Sequence, residues 1–160
     1  MKHKLLNISV AALVLCTSSA FAAKIKNISA SGYDQGNGHT VAQIADGKSE
    51  TRWAIPSSGW VEFELEKTSE LHNFFIIPFK GDQRKLGFEV HYSQDNKVWT
   101  SLTNVRKQTD LDAKKGEIFT FPSIKAKYVK FNVYGTDVNH WSAINEIQFN
   151  SILKVKHHAL

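Results

Sequence analysis

An all-β sandwich of about eight strands is the fold this sequence predicts, on three observations. Short runs of alternating apolar and polar residues recur after the first 22 residues, clusters of Gly, Asn, Asp and Ser separate them, and no apolar period near 3.6 lasts long enough for a useful helix. In Trp60 to Glu66, Val61, Phe63 and Leu65 share one face while Glu62, Glu64 and Glu66 share the other, as a period of two requires. Leu71 to Phe79 is almost continuously apolar and reads as a central strand. Phe88, Val90 and Tyr92 alternate again, and the turn signal Asp95-Asn96 before Val98-Trp99 predicts a hairpin. Ile118 to Phe121 reads as a strand that Pro122-Ser123 ends. Val129, Phe131 and Val133, then Ile147 and Phe149, complete the alternating set.

Composition agrees with one ordinary globular domain: of 160 residues, 42% are hydrophobic, 11% aromatic and 22% charged, which excludes disordered, collagen-like and coiled-coil chains. Residues Met1 to Ala22 have the pattern of a secretory signal. A basic start (Lys2, His3, Lys4) precedes an apolar stretch (Val10 to Leu15) and then Ala20-Phe21-Ala22, small residues at both positions that a signal peptidase inspects. Leu15 stands before Cys16 where a lipid-attachment signal wants a small residue, which favours ordinary cleavage after Ala22 and a secreted or periplasmic product. The domain then spans residues 23–150. Residues 151–160 form a tail, and its His157-His158 pair reads as a frayed end without a role.

Several function classes fall away. Met1 and Cys16 are the only sulfur-bearing residues, so the cleaved chain has no disulfide, thiol nucleophile or cysteine metal site. No apolar run reaches the roughly 20 residues a membrane-spanning helix needs. Loss of Lys2 and Lys4 lowers the net charge from +5 to +3, a mild excess that suits a polyanionic partner without demanding nucleic acid. A monomer with no nucleic-acid partner and no membrane span is expected.

The most informative stretch is Asp46 to Trp53. Gly47 permits a tight loop, Asp46 and Thr51 offer oxygen, and Trp53 anchors the end, so the segment suits a hard cation such as calcium if further oxygens arrive from elsewhere. Glu146, in an otherwise apolar terminal strand, is a second donor by type. A plain Asp-Gly turn before a core tryptophan explains the same residues. Arg84 carries a guanidinium fork that matches a carboxylate with two parallel hydrogen bonds, and Lys80 adds a point charge nearby. The competing reading pairs Arg84 with Asp82. Asn139, His140 and Trp141 form a polar loop with one ring that either stacks on a sugar face or plugs the sandwich end. Tyr33, Asp34, Asn37 and His39 lie in a Gly-containing loop that borders such a pocket or merely turns a corner. Trp53, Trp60 and Trp99 read as core, and His72 and His91 as strand positions without a role.

Seven motifs in order carry a resemblance: Ser31 to Asn37, Asp46 to Trp53, Gly59-Trp60-Val61, Phe79 to Arg84, Tyr92 to Asp95 with Val98-Trp99, Tyr128-Val129-Lys130, and Asn139 to Glu146. Over residues 31 to 149 the chain resembles the coagulation factor 5/8 C-terminal (discoidin) domains, and within them the family-32 carbohydrate-binding modules appended to alginate lyases. The resemblance implies a galactose-binding-like jelly roll with glycan-binding loops at one end and one structural calcium. It implies Asp46, Thr51 and Glu146 as calcium ligands, with backbone oxygens near Lys48 and Ala143. Many members have Asp or Asn where this chain has Lys48, which offers only its carbonyl.

The resulting expectation is a non-catalytic module that binds an acidic polysaccharide, alginate or another uronate polymer, through Arg84, Lys80, Asn139, His140, Trp141 and Tyr33. The alternative is a discoidin-like adhesion protein that grips a protein, a lipid headgroup or a cell-surface glycan. Hydrolysis by the usual route needs two carboxylates across a pocket, and elimination needs a base beside a neutralised uronate. Composition leaves elimination open, but the binding pattern occupies almost every residue of the cleaved chain, so no catalytic residue is assigned.

Overall fold

The computed structural model describes residues 22–160; apart from Ala22, the expected signal segment with Cys16 lies outside the described residues. Two strands of twenty residues each, β3 (Gly59–Pro78) and β7 (Glu117–Thr136), run antiparallel and organise everything else. Their first pairing holds Gly59 to Glu64 opposite Val133 to Tyr128, their second Ser69 to Ile76 opposite Ala126 to Glu117, and the register slips in between. At that slip Lys127 Nζ donates to the Leu65 and Glu66 carbonyls (2.6 and 2.9 Å), which satisfies backbone acceptors released from the ladder.

Each long strand therefore serves two layers. One layer adds β1 (Ile25–Ala30) to the first half of β3 and β4 (Leu86–Ser93), with β5 (Thr100–Ser101) and β6 (Lys107–Gln108), to the second half of β7. The other adds β8 (Ser142–Phe149) and β2 (Trp53–Ile55) to the second half of β3, and β9 (Lys156–Ala159) to the first half of β7. Side chains from the two layers meet ring against ring: Phe63 on Phe149 at 5.3 Å, Phe74 on Phe131 at 4.9 Å and Phe88 on Phe119 at 5.2 Å, all edge to face. This is the expected sandwich, with a phenylalanine core drawn from the alternating positions.

The Asp95-Asn96 hairpin forms as expected. Asp95 Oδ1 accepts the Lys97 and Val98 N–H groups (both 2.9 Å), chiefly for which its carboxyl is held below the ordinary range, and Asn96 takes the left-handed conformation.

Three expectations are corrected. Pro122 does not end a strand: β7 runs through it, because the ladder slips between Leu71 and Asn73, where the missing N–H leaves no gap. Residues 151–160 are not a loose end, since β9 pairs in parallel with Glu117 to Thr120 as an edge strand. His158 Nε2 lies 2.6 Å from Glu117 Oε2, its ring stacks on Phe119, and Lys156 bridges to Asp110 at 2.6 Å. Glu117 is fully buried, and burial pushes its carboxyl above the ordinary range. Trp53 is core, whereas Trp60 and Trp99 are half-buried and flank Lys130 Nζ at 5.2 and 4.4 Å. With Val61 and Phe63 pointing inward, a period of two turns Trp60 to the outer face.

Candidate glycan site and carboxylate cleft

At one end of the sandwich three loops and the start of β2 enclose a cavity of about 310 Å3, near the lower limit for small-molecule sites. Phe79 follows β3 directly, and its N–H donates to the Ala143 carbonyl (3.1 Å), which ties the loop after β3 to β8. Lys80 adopts a left-handed conformation, and its carbonyl accepts from Gln83 N (2.8 Å) and Arg84 N (3.2 Å). A tight turn results, and it brings Arg84 back beside Phe79. A Cβ on Gly81 would stand 2.8 Å from the Ala113 carbonyl, so only glycine lets this turn sit against the 3-10 segment Ala113–Lys115.

The loop after β7 forms the opposite wall. Lys85 N donates to Asp137 Oδ1 (2.8 Å), Trp141 N donates to Asn139 Oδ1 (3.1 Å), and Ser142 Oγ accepts from Gly135 N and donates to the Ser57 carbonyl. So pinned, the loop presents Trp141 with 40% of its surface exposed. A pre-ordered aromatic platform loses little entropy when a sugar stacks on it.

The cavity's charge is positive. The Arg52 and Arg84 guanidiniums both lie over the Phe79 ring, at 4.1 and 5.9 Å from its centroid. Among the described residues neither forms an ion pair, and Arg84 Nε is buried without any hydrogen-bond partner. A buried donor without a partner costs about 1–3 kcal/mol, more when it belongs to a charged group, so the cavity favours an anion that accepts from it. The Arg84–Asp82 pair does not form: Asp82 bonds Lys114 instead (3.1 Å), and that contact, before any other, holds its carboxyl below the ordinary range.

Of the expected glycan-contact residues, Arg84, Asn139 and Trp141 line this cavity together with Asp34, Asn37 and His39. Lys80 stands outside it with Nζ 5.5 Å from the Phe79 centroid. Tyr33 and His140 are exposed on the neighbouring loops. Arg52 and Phe79 are site residues that the sequence reading did not assign. Their signal was present: an arginine directly before the buried Trp53, and an aromatic at the end of an apolar strand directly before a Gly-containing turn.

Two of the calcium candidates, Asp46 and Glu146, line a separate cleft. Asp46 accepts from Thr51 Oγ1 (2.8 and 2.9 Å) and Lys48 N (2.9 Å), and Glu146 accepts from Gly47 N (3.2 Å). Three carboxylates, Asp46, Glu66 and Glu146, line the cleft with Lys24. Glu146 is buried and has no cationic partner among the described residues; burial first, and the nearby Asp46 charge, push its carboxyl above the ordinary range. Asn145 donates to the Ser49 carbonyl (2.6 Å) and leaves its buried Oδ1 without a partner. The Asp46 and Glu146 carboxylates and the Thr51 hydroxyl are oxygen donors of the type that a hard divalent cation takes. Lys48 contributes its backbone, whose carbonyl accepts from Thr51 Oγ1 (3.1 Å). Ala143 lies elsewhere: it lines the arginine cavity, and its carbonyl accepts from Phe79 N.

The family model of the F5/8 type C domain matches residues 27–147. Among solved structures, one described as a pectin binding carbohydrate binding module is 46% identical, with a TM-score of 0.83 over 86% of this chain and 98% of that one. The CBM32 of AlyQ, solved with 4,5-unsaturated mannuronic acid, is 22% identical, with a TM-score of 0.73 over 81% and 97% of the two chains. A Clostridium perfringens CBM32 bound to GalNAc-β-1,3-galactose is 21% identical, with a TM-score of 0.64 over 77% and 93%. No curated protein matches the chain.

Proposed function

Since the chain belongs to the F5/8 type C domain family and is a carbohydrate-binding module by its similarity to a solved one, we propose that it binds uronate polymers through the arginine cavity. The observation that carries this reading is the pair of guanidiniums over Phe79, neither of them ion-paired among the described residues and one with a buried, unpartnered Nε–H; two arginines outweigh the single aspartate, Asp34, on the cavity wall. A uronate carboxylate entering the cavity accepts from Arg84 Nε and from Arg52, in charge-assisted bonds about twice as strong as neutral ones. The sugar ring then lies against Trp141, and Asn139, whose Oδ1 is engaged by Trp141 N, keeps its amide donors for a hydroxyl. Lys80 adds positive charge at the rim. The relative described as pectin binding and the one solved with an unsaturated mannuronic acid support the uronate class. The role is capture of polymer without bond cleavage, by a product that the Met1 to Ala22 pattern directs out of the cytoplasm.

Calcium in the Asp46–Glu146 cleft belongs to the same proposal. It would supply the positive charge that these carboxylates lack and hold the loop that ends in Arg52 and Trp53. Calorimetric titration with oligogalacturonate, oligomannuronate and a neutral galacto-oligosaccharide of matched length tests the glycan reading. Heat from the uronates alone is the expected result, and silence toward both uronates overturns it.

A further inference from the structure

We propose that His39 is a positioning residue for Arg52 and that it makes uronate binding weaken on acidification; this rests on the uronate reading above. Arg52 Nη2 and His39 Nε2 are 2.7 Å apart. A guanidinium has donors only, so His39 Nε2 must accept, and the imidazole proton resides on Nδ1. The neutral ring is thereby part of the site's geometry.

The histidine is itself held. Its N–H donates to the Asp34 carbonyl (3.2 Å), its carbonyl accepts from Ala54 N (3.4 Å), and Gly38, in the left-handed region at φ 66°, turns the loop so that it closes on β2. Arg52 leads directly into β2. Donor and acceptor are thus fixed on two backbone segments that are bonded to each other. The ring nitrogen sets the orientation of the guanidinium, and Phe79 supports its face at 4.1 Å.

Protonation reverses the contact. A second proton on the ring turns Nε2 into a donor, and two donors carrying like charge cannot share 2.7 Å, so Arg52 swings off His39 and loses its orientation. Besides His39, the charged groups lining the cavity are Asp34, Arg52 and Arg84. Charge alone predicts the opposite trend, because an added positive charge attracts a carboxylate. Loss of one oriented charge-assisted bond weakens binding by about tenfold or more, whereas a half-buried imidazolium acts through screened solvent. Weakening therefore prevails.

The test is titration with oligogalacturonate at pH 7.5, 6.5 and 5.5 and constant ionic strength, a window in which sugar carboxylates stay ionised and histidines change charge. The wild-type Kd is expected to rise about tenfold from pH 7.5 to 5.5. His39→Ala binds weakly throughout. His39→Gln, whose amide oxygen accepts from Arg52 but does not titrate, rescues most of the alanine loss at pH 7.5 and removes the pH dependence. Wild-type binding that is flat or tightens on acidification overturns the inference, as does a His39→Gln profile with the wild-type slope. No binding of wild type at pH 7.5 overturns the uronate reading and the inference with it.

Discussion

The segment from Asp46 to Trp53 serves two sites of opposite sign. Its first residue places the Asp46 carboxylate in a cleft lined by three carboxylates and one lysine, and its end places the Arg52 guanidinium in a cavity lined by two arginines and one aspartate. Each site holds a charge that the protein itself does not neutralise. The lesson is that a short loop anchored by one buried tryptophan can present a cation receptor and an anion receptor side by side without either collapsing onto the other. Asp46 is occupied by its own loop's Lys48 N–H and Thr51 hydroxyl, and Arg52 by His39.

The largest effect is expected from removing the cavity's charge. Arg52→Ala with Arg84→Ala should abolish calorimetric binding of uronate oligomers, since each charge-assisted bond is worth about 1.5–3 kcal/mol, and should leave the calcium response intact. Uronate heat from the double variant at wild-type strength would place the glycan elsewhere.

Next comes the cleft. Calcium at about 100 times its Kd should stabilise wild type by about 2.7 kcal/mol, roughly 5–10 °C in Tm, with EDTA reversing the gain. Glu146→Gln should respond little. In EDTA the order should invert. Burial raises the Glu146 carboxyl in the folded state, so the stability linked to it is present at low pH and lost as pH rises through the folded pKa, and the neutral amide avoids that loss. A variant that gains as much from calcium as wild type would remove Glu146 from the ligand set.

The His158–Glu117 seam separates fold from function, because it lies in neither site. His158→Ala should lower stability by roughly 1.5–3 kcal/mol in urea unfolding, as Glu117 loses its buried partner, with uronate affinity unchanged. Trp141→Ala should have the smallest effect, about 0.5–1.5 kcal/mol in uronate affinity by analogy with aromatic pairs and none on the calcium shift. A matching loss of Tm would make Trp141 a plug for the sandwich end.

Much of this architecture is legible in the sequence because strand burial has a period of two, so Val61, Phe63, Val90 and Phe131 announce the core by alternation alone. The exceptions have local causes. Pro122 sits where a register slip removes the need for its N–H, and β9 has no apolar alternation, its polar residues Lys156 and His158 pairing with Asp110 and Glu117 some forty positions away. Arg84, Asn139 and Trp141 could be named from residue type within suggestive loops. Arg52 could not be assigned to the cavity from type alone, since it shares a motif with the carboxylate loop.

By itself the sequence determined the fold class, the alternating core, the hairpin at Asp95 and the residue types suited to an acidic glycan, all properties set by neighbours along the chain. Tertiary structure decided which charges stay unpaired. Asp82 goes to Lys114, and Arg52 and Arg84 meet over one phenylalanine ring. His39 Nε2 stands 2.7 Å from Arg52 Nη2, and Ala143 faces the arginines instead of Glu146. The physical reason is that hydrogen bonds and ion pairs between distant loops depend on ångström-scale placement by the two bent strands, which no spacing along the chain encodes.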